Sequence, residues 1–528
     1  MDNRMYDVIV VGGGLAGLTA AVYSARKGRN VLLVEKNSKC GGLASSIEHN
    51  GFVFDAGAKG LINAGIIKPM VNDLGIDLKL IRSKVSVGIA DRIIGIDGLA
   101  DIESYKNLLL HFFPNCRQEV DIVIREMVAM MRYTKTFYAV DNPEFRDIKK
   151  DYKYLFKDLL PWLPSFLYTL LKTSRLMEPM EDYLGKWIQS KPLADMVLQH
   201  FFQRMPAFFA LGYFYVFLDY WYPVGGVGKL GEALLQKYKE LNGKLAFSTR
   251  IVKVIPSENQ LIDEKGNAYG YDKLIWTADL KSFYGIVYPD GLSNEQKSKF
   301  DKTKFSVTKA ATGDSVFQLF LEVDERPETY SQFTNPHLLY TPMTDGLGDS
   351  VRTDFAMLIA NWSQANKAEV VEWVRNFVKR NTFEISFPVL RDSNLAPEGK
   401  TGIIVNFFTD YRIFQFAQND GWVDELTGAF ENALIDTLSK SIFPNLKEKL
   451  IHKFSFTPLS IKEWAGSSGG AITGWAFGQE LPVVNKMIKV QKSVRTPFPN
   501  IFQAGQWAYS PSGIPMSILT GKIASNFV

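Results

Sequence analysis

The sequence predicts an α/β fold (α+β overall) with a discontinuous Rossmann-like nucleotide-binding domain and a second domain of mixed sheet and helices. The first observation is length, because 528 residues exceed what one hydrophobic core usually supports. The second is a strand–glycine turn–helix–strand unit at the start of the chain. The third is the recurrence of glycine-rich segments near residues 222–230 and 500–516, far from that unit.

The opening unit has the order that dinucleotide binding requires. The apolar run Tyr6–Val11 predicts a buried parallel strand, and Gly12–Gly17 matches the pattern G-x-G-x-x-G. Leu18–Lys27 is predicted to be a helix, and Val31–Val34 a second strand that ends at Glu35. A glycine-rich turn without a ligand is the alternative, but the whole unit favours a dinucleotide site.

Each part of the unit has a chemical role in that prediction. Gly12 permits a tight turn, Gly14 lets a pyrophosphate approach the backbone, and Gly17 lets helix and strand pack closely. The free N–H groups at the helix start favour anions. Glu35 accepts hydrogen bonds from ribose hydroxyls and disfavours the 2′-phosphate of NADP. The predicted contacts in this unit are Gly12, Gly14, Leu15, Ala16, Gly17, Glu35 and Lys36.

Two further segments distinguish FAD from NAD. Cys40–Ala44 contains a Gly-Gly pair, and Gly51–Ala58 predicts a short strand and a glycine turn. Together they resemble the FAD-binding signature of the amine-oxidase and phytoene-desaturase clan. The resemblance implies FAD as cofactor, with its diphosphate on the first segment and its isoalloxazine beside the second. The contacts it implies are Gly41, Gly42, Leu43, Ala56, Gly57 and Ala58. Cys40 is expected to be a small residue of the phosphate loop and not a redox thiol.

The middle of the chain fits the same resemblance. Tyr222–Leu230 leads into a predicted helix over 231–241, and strands are predicted over Phe247–Val254 and Leu274–Asp279. In the clan such a Tyr-Pro-x-Gly-Gly unit returns the chain to the FAD domain, and the strand after it contacts adenine. This implies an adenine contact at Ile251. Asp279 is expected to be structural.

The end of the chain predicts a strand, a turn and a helix opened by Gly-x-Pro. In the clan this helix points its N-terminus at the flavin pyrimidine ring, where its dipole stabilises negative charge. The contacts that the resemblance implies are Gly505, Gln506, Gly513, Ile514 and Met516. Gln506 is a departure, because the clan usually has an acid there.

Two later segments indicate which part of the clan the chain resembles. Asp392–Lys400, which precedes a predicted strand over Gly402–Phe408, and residues 457–474 are similar to the corresponding segments of phytoene desaturases, carotenoid isomerases and retinol saturases. The implied FAD-binding domain comprises 1–95, 222–300 and 456–528. The implied substrate domain comprises 96–221 and 301–455 and carries a helical apolar cap.

An aromatic-rich stretch lies between the glycine segments. Residues 155–171 are largely apolar and have basic flanks, so they form either core helices or an interfacial helix that enters lipid. No uncharged run reaches the roughly 20 residues of a membrane span. The expected substrate contacts, either tunnel or core, are Phe208, Phe209, Tyr213, Phe217 and Trp507.

Few ionisable residues stand out as catalytic candidates. Lys59 follows the second glycine segment, where it could anchor a carboxylate or contact the flavin, with a solvated lysine as the alternative. The five histidines lie outside the motifs and are expected on the surface or in the core. No His/Cys cluster has metal-ligand spacing, so no metal is expected.

The function predicted is an FAD-dependent oxidoreductase acting on C–C double bonds of a hydrophobic polyene or unsaturated lipid, as desaturase, saturase or isomerase. A flavin amine oxidase and a redox-silent FAD-bearing lipid-binding protein are the alternatives. Two cysteines and no secretory signal favour a cytoplasmic protein. Basic and acidic residues are interspersed and no basic arm is present, so nucleic acid is not expected as a partner. The apolar runs leave peripheral membrane contact open. The oligomeric state is left open.

Overall fold

The computed structural model describes residues 4–528, which form 19 strands. In chain order the strands are β1 Arg4–Val11, β2 Val31–Val34, β3 Ser46–His49, β4 Phe52–Asp55, β5 Leu61–Ile62, β6 Leu80–Arg82, β7 Val85–Ile89, β8 Arg92–Ile96, β9 Tyr220–Pro223, β10 Lys244–Ala246, β11 Ile251–Ile255, β12 Gln260–Asp263, β13 Ala268–Trp276, β14 Ser315–Val323, β15 His337–Thr341, β16 Phe383–Ser386, β17 Thr401–Thr409, β18 Leu450–Phe456 and β19 Ile501–Gln503.

The same residues form 20 α-helices. They are α1 Leu15–Arg26, α2 Ile67–Leu74, α3 Asp101–Phe112, α4 Arg117–Phe137, α5 Leu160–Thr173, α6 Met180–Leu184, α7 Lys191–Leu198, α8 Ala207–Val216, α9 Gly228–Glu240, α10 Leu280–Ile286, α11 Asn294–Lys309, α12 Pro327–Ser331, α13 Gly348–Ala360, α14 Lys367–Arg380, α15 Tyr411–Asn419, α16 Val423–Lys440, α17 Leu446–Lys449, α18 Pro458–Ala465, α19 Val490–Ser493 and α20 Ile514–Ser525. A π-helical turn, Tyr154–Leu159, leads directly into α5.

The first large sheet has the order β10-β2-β1-β13-β12-β11, with β19 also beside β13. Its strands β10, β2, β1, β13 and β19 are parallel, and β12 and β11 extend it as antiparallel strands. Open parallel sheets bind ligands beyond the carboxyl ends of their strands. The residues that follow β1, β2 and β19 at this edge include Gly12, Glu35 and Gly505.

The second large sheet has the order β18-β14-β17-β16-β15-β7-β8 and is antiparallel except where β15 pairs with β7. Successive side chains along β14 point to opposite faces of this sheet. Phe317, Leu319 and Leu321 pack in one hydrophobic core with residues of α14 and α16. Gln318 and Phe320 therefore point to the opposite face, away from those helices. The mixed α/β class predicted from the sequence is confirmed.

Helices α3, α4, α6, α7 and α8 form another hydrophobic core that packs on β7 and β8. β7, and β8 except for its last residue Ile96, lie inside the segment 1–95 that the sequence assigned to the first domain, yet both strands pair in the second sheet. No helix within residues 4–528 is long and apolar enough to cross a membrane.

The buried carboxylate of Asp55 joins the second glycine segment to the returning chain. It accepts hydrogen bonds from the Tyr222 hydroxyl at 2.8 Å and from the Val227 N–H at 2.8 Å. The Gly225 N–H donates to the carboxylate of Asp392 at 2.9 Å. The carboxylates of Asp55 and Asp392 thus bring together three motifs that lie far apart in the chain, namely Gly51–Ala58, Tyr222–Leu230 and Asp392–Lys400.

The strand predicted over Phe247–Val254 is wrong in its bounds. β10 ends at Ala246, and β11 begins only at Ile251. Ser248 between them has a φ of 48°, a left-handed conformation that interrupts an extended strand. The helix predicted over 231–241 begins earlier, at Gly228.

Candidate functional site

One continuous cavity of about 1730 Å³ extends from the carboxyl edge of the first sheet to helices α4, α5 and α8, which we refer to as the helical layer. Every predicted cofactor contact except Gly17 lines it. Those residues are Gly12, Gly14, Leu15, Ala16, Glu35, Lys36, Gly41, Gly42, Leu43, Ala56, Gly57, Ala58, Ile251, Gly505, Gln506, Gly513, Ile514 and Met516. Glycines that are distant in sequence therefore surround a single space.

The first glycine turn is shaped by a very close backbone contact. A Cβ at Gly17 would lie 1.8 Å from the carbonyl oxygen of Gly12, so only glycine lets α1 pack against the turn after β1. Gly12 itself has a φ of +107° and donates its N–H to Val34 O at 2.9 Å. Gly17 does not line the cavity because it lies in this packing contact.

Gly14 differs from Gly17 in what surrounds it. A Cβ added there would meet no atom within 4 Å, because that side of the backbone faces the cavity. Gly14 is the N-cap of α1 and no side chain caps the helix. The N–H groups of the first helical turn are consequently left for a ligand, and an anion is the ligand that they and the helix dipole favour.

The Cys40–Ala44 loop closes the turn from the other side. Gly41 donates its N–H to Gly13 O at 2.9 Å, and Gly42 lies against Gly14. Glu35 accepts hydrogen bonds from the N–H groups of Gly13 at 2.6 Å and Asn37 at 2.8 Å, which fixes its carboxylate at the cavity edge. Glu35 and the loop thus form a preorganised cradle.

Burial and the neighbouring Glu35 carboxylate raise the pKa of the Cys40 thiol to about 12. The thiol is therefore protonated at neutral pH and is a poor nucleophile. This supports the expected role of Cys40 as a small residue of the loop.

The last helix presents its N-terminus to the same cavity. α20 begins after Gly513 with Pro515 in its first turn, and no side chain caps it. Gly505 has a φ of +94° and donates its N–H to Thr520 Oγ1 at 2.9 Å, which ties the preceding turn to the helix. A Cβ at Gly521 would lie 2.4 Å from Ala16 O, so α20 and α1 pack with their backbones close together.

Lys59 is buried, with an exposed fraction of 2%, and lines the cavity, so the alternative of a solvated lysine is not what is observed. Its ammonium group donates to Asp55 O at 2.6 Å. Burial lowers the pKa of Lys59 to about 8, although the carboxylates of Glu384 and Asp55 act in the opposite direction. Lys59 can consequently exchange a proton near physiological pH.

Glu384 is the second ionisable group in this part of the cavity. One carboxylate oxygen lies 3.1 Å from His337 Nε2, and the other accepts from Asn406 Nδ2 at 3.0 Å. Burial alone would raise the pKa of Glu384, but His337, Lys59 and Asn406 together lower it to about 2. Glu384 is therefore a carboxylate at neutral pH.

Most of the predicted substrate contacts line the apolar part of the cavity, namely Phe208, Phe209, Tyr213 and Trp507. Phe217 does not line it. Its ring lies 5.1 Å from that of Tyr213 in an edge-to-face arrangement, so Phe217 supports the wall from behind. The helical layer adds Phe137, Trp162 and Phe166 to the lining.

The sequence alone did not identify the polar groups of the cavity. Gln318, Glu384 and Asn406 lie on strands, outside every motif. A lone polar residue in an otherwise apolar predicted strand, Gly402–Phe408, is the signal that could have found Asn406. His200 also lines the cavity, and burial lowers its pKa to about 4, so it is neutral.

Asp279 caps α10 and accepts from the N–H groups of Ser282 and Ser468, which fits the structural role expected for it.

Comparisons with known proteins agree with this geometry. Residues 10–74 match the family described as NAD(P)-binding Rossmann-like domain. A 4,4′-diaponeurosporene oxygenase of Staphylococcus haemolyticus is 23% identical, over 98% of this chain and 95% of its own length. A 4,4′-diapophytoene desaturase (4,4′-diaponeurosporene-forming) of Staphylococcus aureus strain COL is 21% identical, over 98% and 97%. The chain is similar to these relatives over nearly its whole length, which supports an FAD-dependent oxidoreductase.

The solved structure of a putrescine oxidase bound to putrescine supports the fold of this oxidoreductase. It matches with a TM-score of 0.59 at 12% identity, over 99% of this chain and 98% of that one. At that identity the likeness concerns the fold. The expected cofactor, FAD, is confirmed, and the open backbone at Gly14 and the two uncapped helix starts fit its diphosphate and ring.

Gly14→Ala should abolish retention of FAD while leaving the apoprotein folded. The new methyl group would occupy the open side of the turn, where the diphosphate is expected, and no protein atom would clash with it. Flavin absorbance of the purified variant and the melting temperature of the apoprotein measure the two effects.

Gly428→Ala is the matched control, since its Cβ would also meet no atom within 4 Å and the residue lies in α16, away from the cavity. It should retain FAD. Full retention of FAD by Gly14→Ala would show that the diphosphate does not lie at this turn.

Proposed function

We propose that this FAD-dependent oxidoreductase acts on C–C double bonds of a hydrophobic polyene or unsaturated lipid, by desaturation, saturation or isomerisation. The observation that carries the proposal is the single cavity. Its nucleotide-binding end is rich in glycine, and its far end is walled by the aromatic side chains of the helical layer. A long apolar substrate can therefore reach the flavin without leaving the protein. The names of the two staphylococcal relatives, a carotenoid oxygenase and desaturase, support the same substrate class.

The proposed cofactor contacts follow from the cradle. Backbone N–H groups at the start of α1 bind the diphosphate, Glu35 accepts from ribose hydroxyls, and Ile251 lies beside the adenine. The start of α20 stabilises negative charge on the pyrimidine side of the ring. Bound FAD supplies acceptance or donation of a hydride. The division into an FAD domain (1–95, 222–300, 456–528) and a substrate domain (96–221, 301–455) belongs to this proposal.

Lys59 is the proposed proton-transfer residue. Removal of a hydride from a C–C bond during desaturation must be accompanied by loss of a proton from the neighbouring carbon. Lys59 lies in the cavity, and its lowered pKa provides a neutral amine at mildly alkaline pH. It can accept that proton, and the Asp55 carbonyl that it contacts fixes its position.

The two other candidate functions receive less support. A flavin amine oxidase is less well supported, because the solved amine-oxidase structure matches at only 12% identity, whereas the full-length relatives at 21% and 23% identity are named for diapophytoene and diaponeurosporene. A redox-silent lipid-binding protein would have no use for an ionisable lysine and carboxylate in its cavity.

A bilayer with anionic headgroups is the proposed source of substrate. The apolar face of residues 152–171 is exposed to solvent and consists of Tyr152, Phe156, Leu160, Leu163, Leu167, Tyr168 and Leu171. Leu163 and Leu171 also line the cavity, so the face adjoins the cavity. Exposed Lys153, Lys157 and Lys172 flank it.

Transfer of a chain of about 18 carbons from bilayer to water would cost roughly 14 kcal/mol at about 0.8 kcal/mol per CH₂. Entry directly from lipid avoids this cost. The sequence analysis offered core helices as one alternative for residues 155–171. The exposed apolar face favours the other alternative, an interfacial helix, because its side chains point toward solvent and not into a core.

The reaction can be tested by anaerobic incubation of oxidised and of dithionite-reduced holoenzyme with carotenoids, retinoids and polyunsaturated fatty acids. We expect the lipid absorbance to change with at least one of them. A change with oxidised enzyme that bleaches the flavin indicates desaturation, and consumption of reductant indicates saturation. A change that needs reduced flavin but consumes no reductant indicates isomerisation. Absence of any flavin or lipid change across the panel would contradict the proposal.

The role of Lys59 predicts a specific pH dependence of desaturation. Below about pH 8 the amine is protonated and cannot accept a proton, so kcat should rise as the pH is raised through about 8. Lys59→Met should lower kcat by about 10²–10⁴-fold and remove this inflection.

Lys59→Arg serves as the control for charge, because arginine stays protonated throughout this range. It should also lack the inflection while retaining the positive charge. An unchanged inflection in either variant would assign the titration to another group.

Membrane contact can be tested by cosedimentation with vesicles of phosphatidylcholine and phosphatidylglycerol. Phe156→Asp combined with Leu167→Asp places two charges on the apolar face, outside the cavity lining, and should lower the bound fraction several-fold. Phe305→Asp is the control, since Phe305 is an exposed aromatic residue on α11. Equal binding by both variants would exclude this face as the membrane contact.

A further inference from the structure

Three neighbouring strands of the second sheet place a row of polar side chains in the wall of the apolar cavity. Gln318 on β14 lies opposite Asn406 on β17, which lies opposite Glu384 on β16. Residues that are directly opposite on neighbouring strands point to the same face of a sheet. All three line the cavity, and we refer to them as the polar row.

The polar row has more hydrogen-bond acceptors than donors. A carboxylate can only accept, so Asn406 must turn its Nδ2 toward Glu384, which leaves Asn406 Oδ1 pointing elsewhere. Neither that oxygen nor Gln318 Oε1 has a hydrogen-bond partner. The exposed fractions of the two residues are 4% and 2%. Buried unpartnered acceptors are costly, and a ligand that donates a hydrogen bond would satisfy them.

The surroundings restrict the chemistry of that ligand. The Lys59 ammonium group interacts electrostatically with the carboxylates of Glu384 and Asp55 and with the Arg391 guanidinium. A cationic donor would face the charge of Lys59. An anion would face Glu384 and the two bare amide oxygens. A neutral hydroxyl both donates and accepts, so it fits unpartnered amide oxygens near a lysine.

The walls beside the polar row are apolar. Leu339 is the next residue in the same cross-strand line, opposite Glu384, and Phe408 lies two residues beyond Asn406 on β17. A ligand here must therefore combine one polar group with an extended apolar body.

We propose that the polar row is a subsite for a hydroxyl group of the substrate, so that the enzyme selects a polyene or lipid alcohol over the corresponding hydrocarbon. This rests on the proposed function, because it assumes that the apolar cavity holds a polyene or lipid. The single hydroxyl proton is shared between Gln318 Oε1 and Asn406 Oδ1 as a three-centre hydrogen bond, and Glu384 holds Asn406 in the orientation that this requires.

The test compares binding of all-trans-retinol with that of the same polyene in which the CH₂OH group is CH₃. Titration of the holoenzyme is followed by flavin difference spectra and tryptophan fluorescence. The wild type should bind the alcohol at least about tenfold more tightly, because a hydrocarbon leaves the polar row unpartnered. Gln318→Leu removes one of the two acceptors, so it should lower the ratio of the two dissociation constants several-fold toward one.

Gln318→Leu has a second expected effect that distinguishes a binding site from a structural role. Replacing an unpartnered buried amide by an apolar group of similar size should leave the melting temperature unchanged or raise it. Gln318→Met is the second variant and should behave alike. Gln418→Leu makes the same chemical change on the exposed surface of α15 and should keep the wild-type ratio.

The outcomes separate this inference from the proposed function. Equal binding of alcohol and hydrocarbon by the wild type would overturn the subsite and leave polyene chemistry intact. A preference for the alcohol that is as large in Gln318→Leu and Gln318→Met as in the wild type would also overturn it. If neither probe binds the holoenzyme, while other lipids also fail to change its spectrum, the proposed function falls together with the inference.

Discussion

The contact between helix α1 and the turn after β1 is the constraint on which the rest of the structure depends. Gly17 allows the helix backbone to approach Gly12 O so closely that any side chain would clash. The helix start is thereby held at the carboxyl edge of the sheet with its N–H groups free. The Cys40–Ala44 loop, Glu35 and the start of α20 are then arranged around that open end. The glycine residues therefore serve two distinct purposes, close packing at Gly17 and open space at Gly14.

A second constraint is the joining of distant segments by buried carboxylates. Asp55 and Asp392 bind the turn that follows β9, and through it they hold the second glycine segment against the second sheet. Lys59 is fixed by the carbonyl of the same Asp55. The position of the proposed proton acceptor is thus set by the architecture that closes the nucleotide site, and a change at Asp55 would affect both.

Sequence patterns predicted the nucleotide-binding half well because its chemistry is local. Gly12–Gly17 and Glu35 act within one supersecondary unit, so their spacing alone indicates the chemistry. The prediction of a single strand over Phe247–Val254 was wrong, because Ser248 adopts a left-handed conformation that no sequence pattern indicates. The polar row could not be predicted, since Gln318, Asn406 and Glu384 become neighbours only through strand pairing across long sequence separations. Whether residues 155–171 face core or solvent likewise depends on tertiary packing.

We propose that one cavity holds both FAD and an apolar substrate, with the flavin between the glycine cradle and the second sheet. A crystal structure of the purified holoprotein tests it most directly. We expect diphosphate density between Gly14 and Gly42 and an isoalloxazine ring beside Gly57–Lys59, with its free face toward the polar row. A flavin bound away from the Gly12–Gly17 turn, or a ring separated from the aromatic part of the cavity by protein, would contradict it.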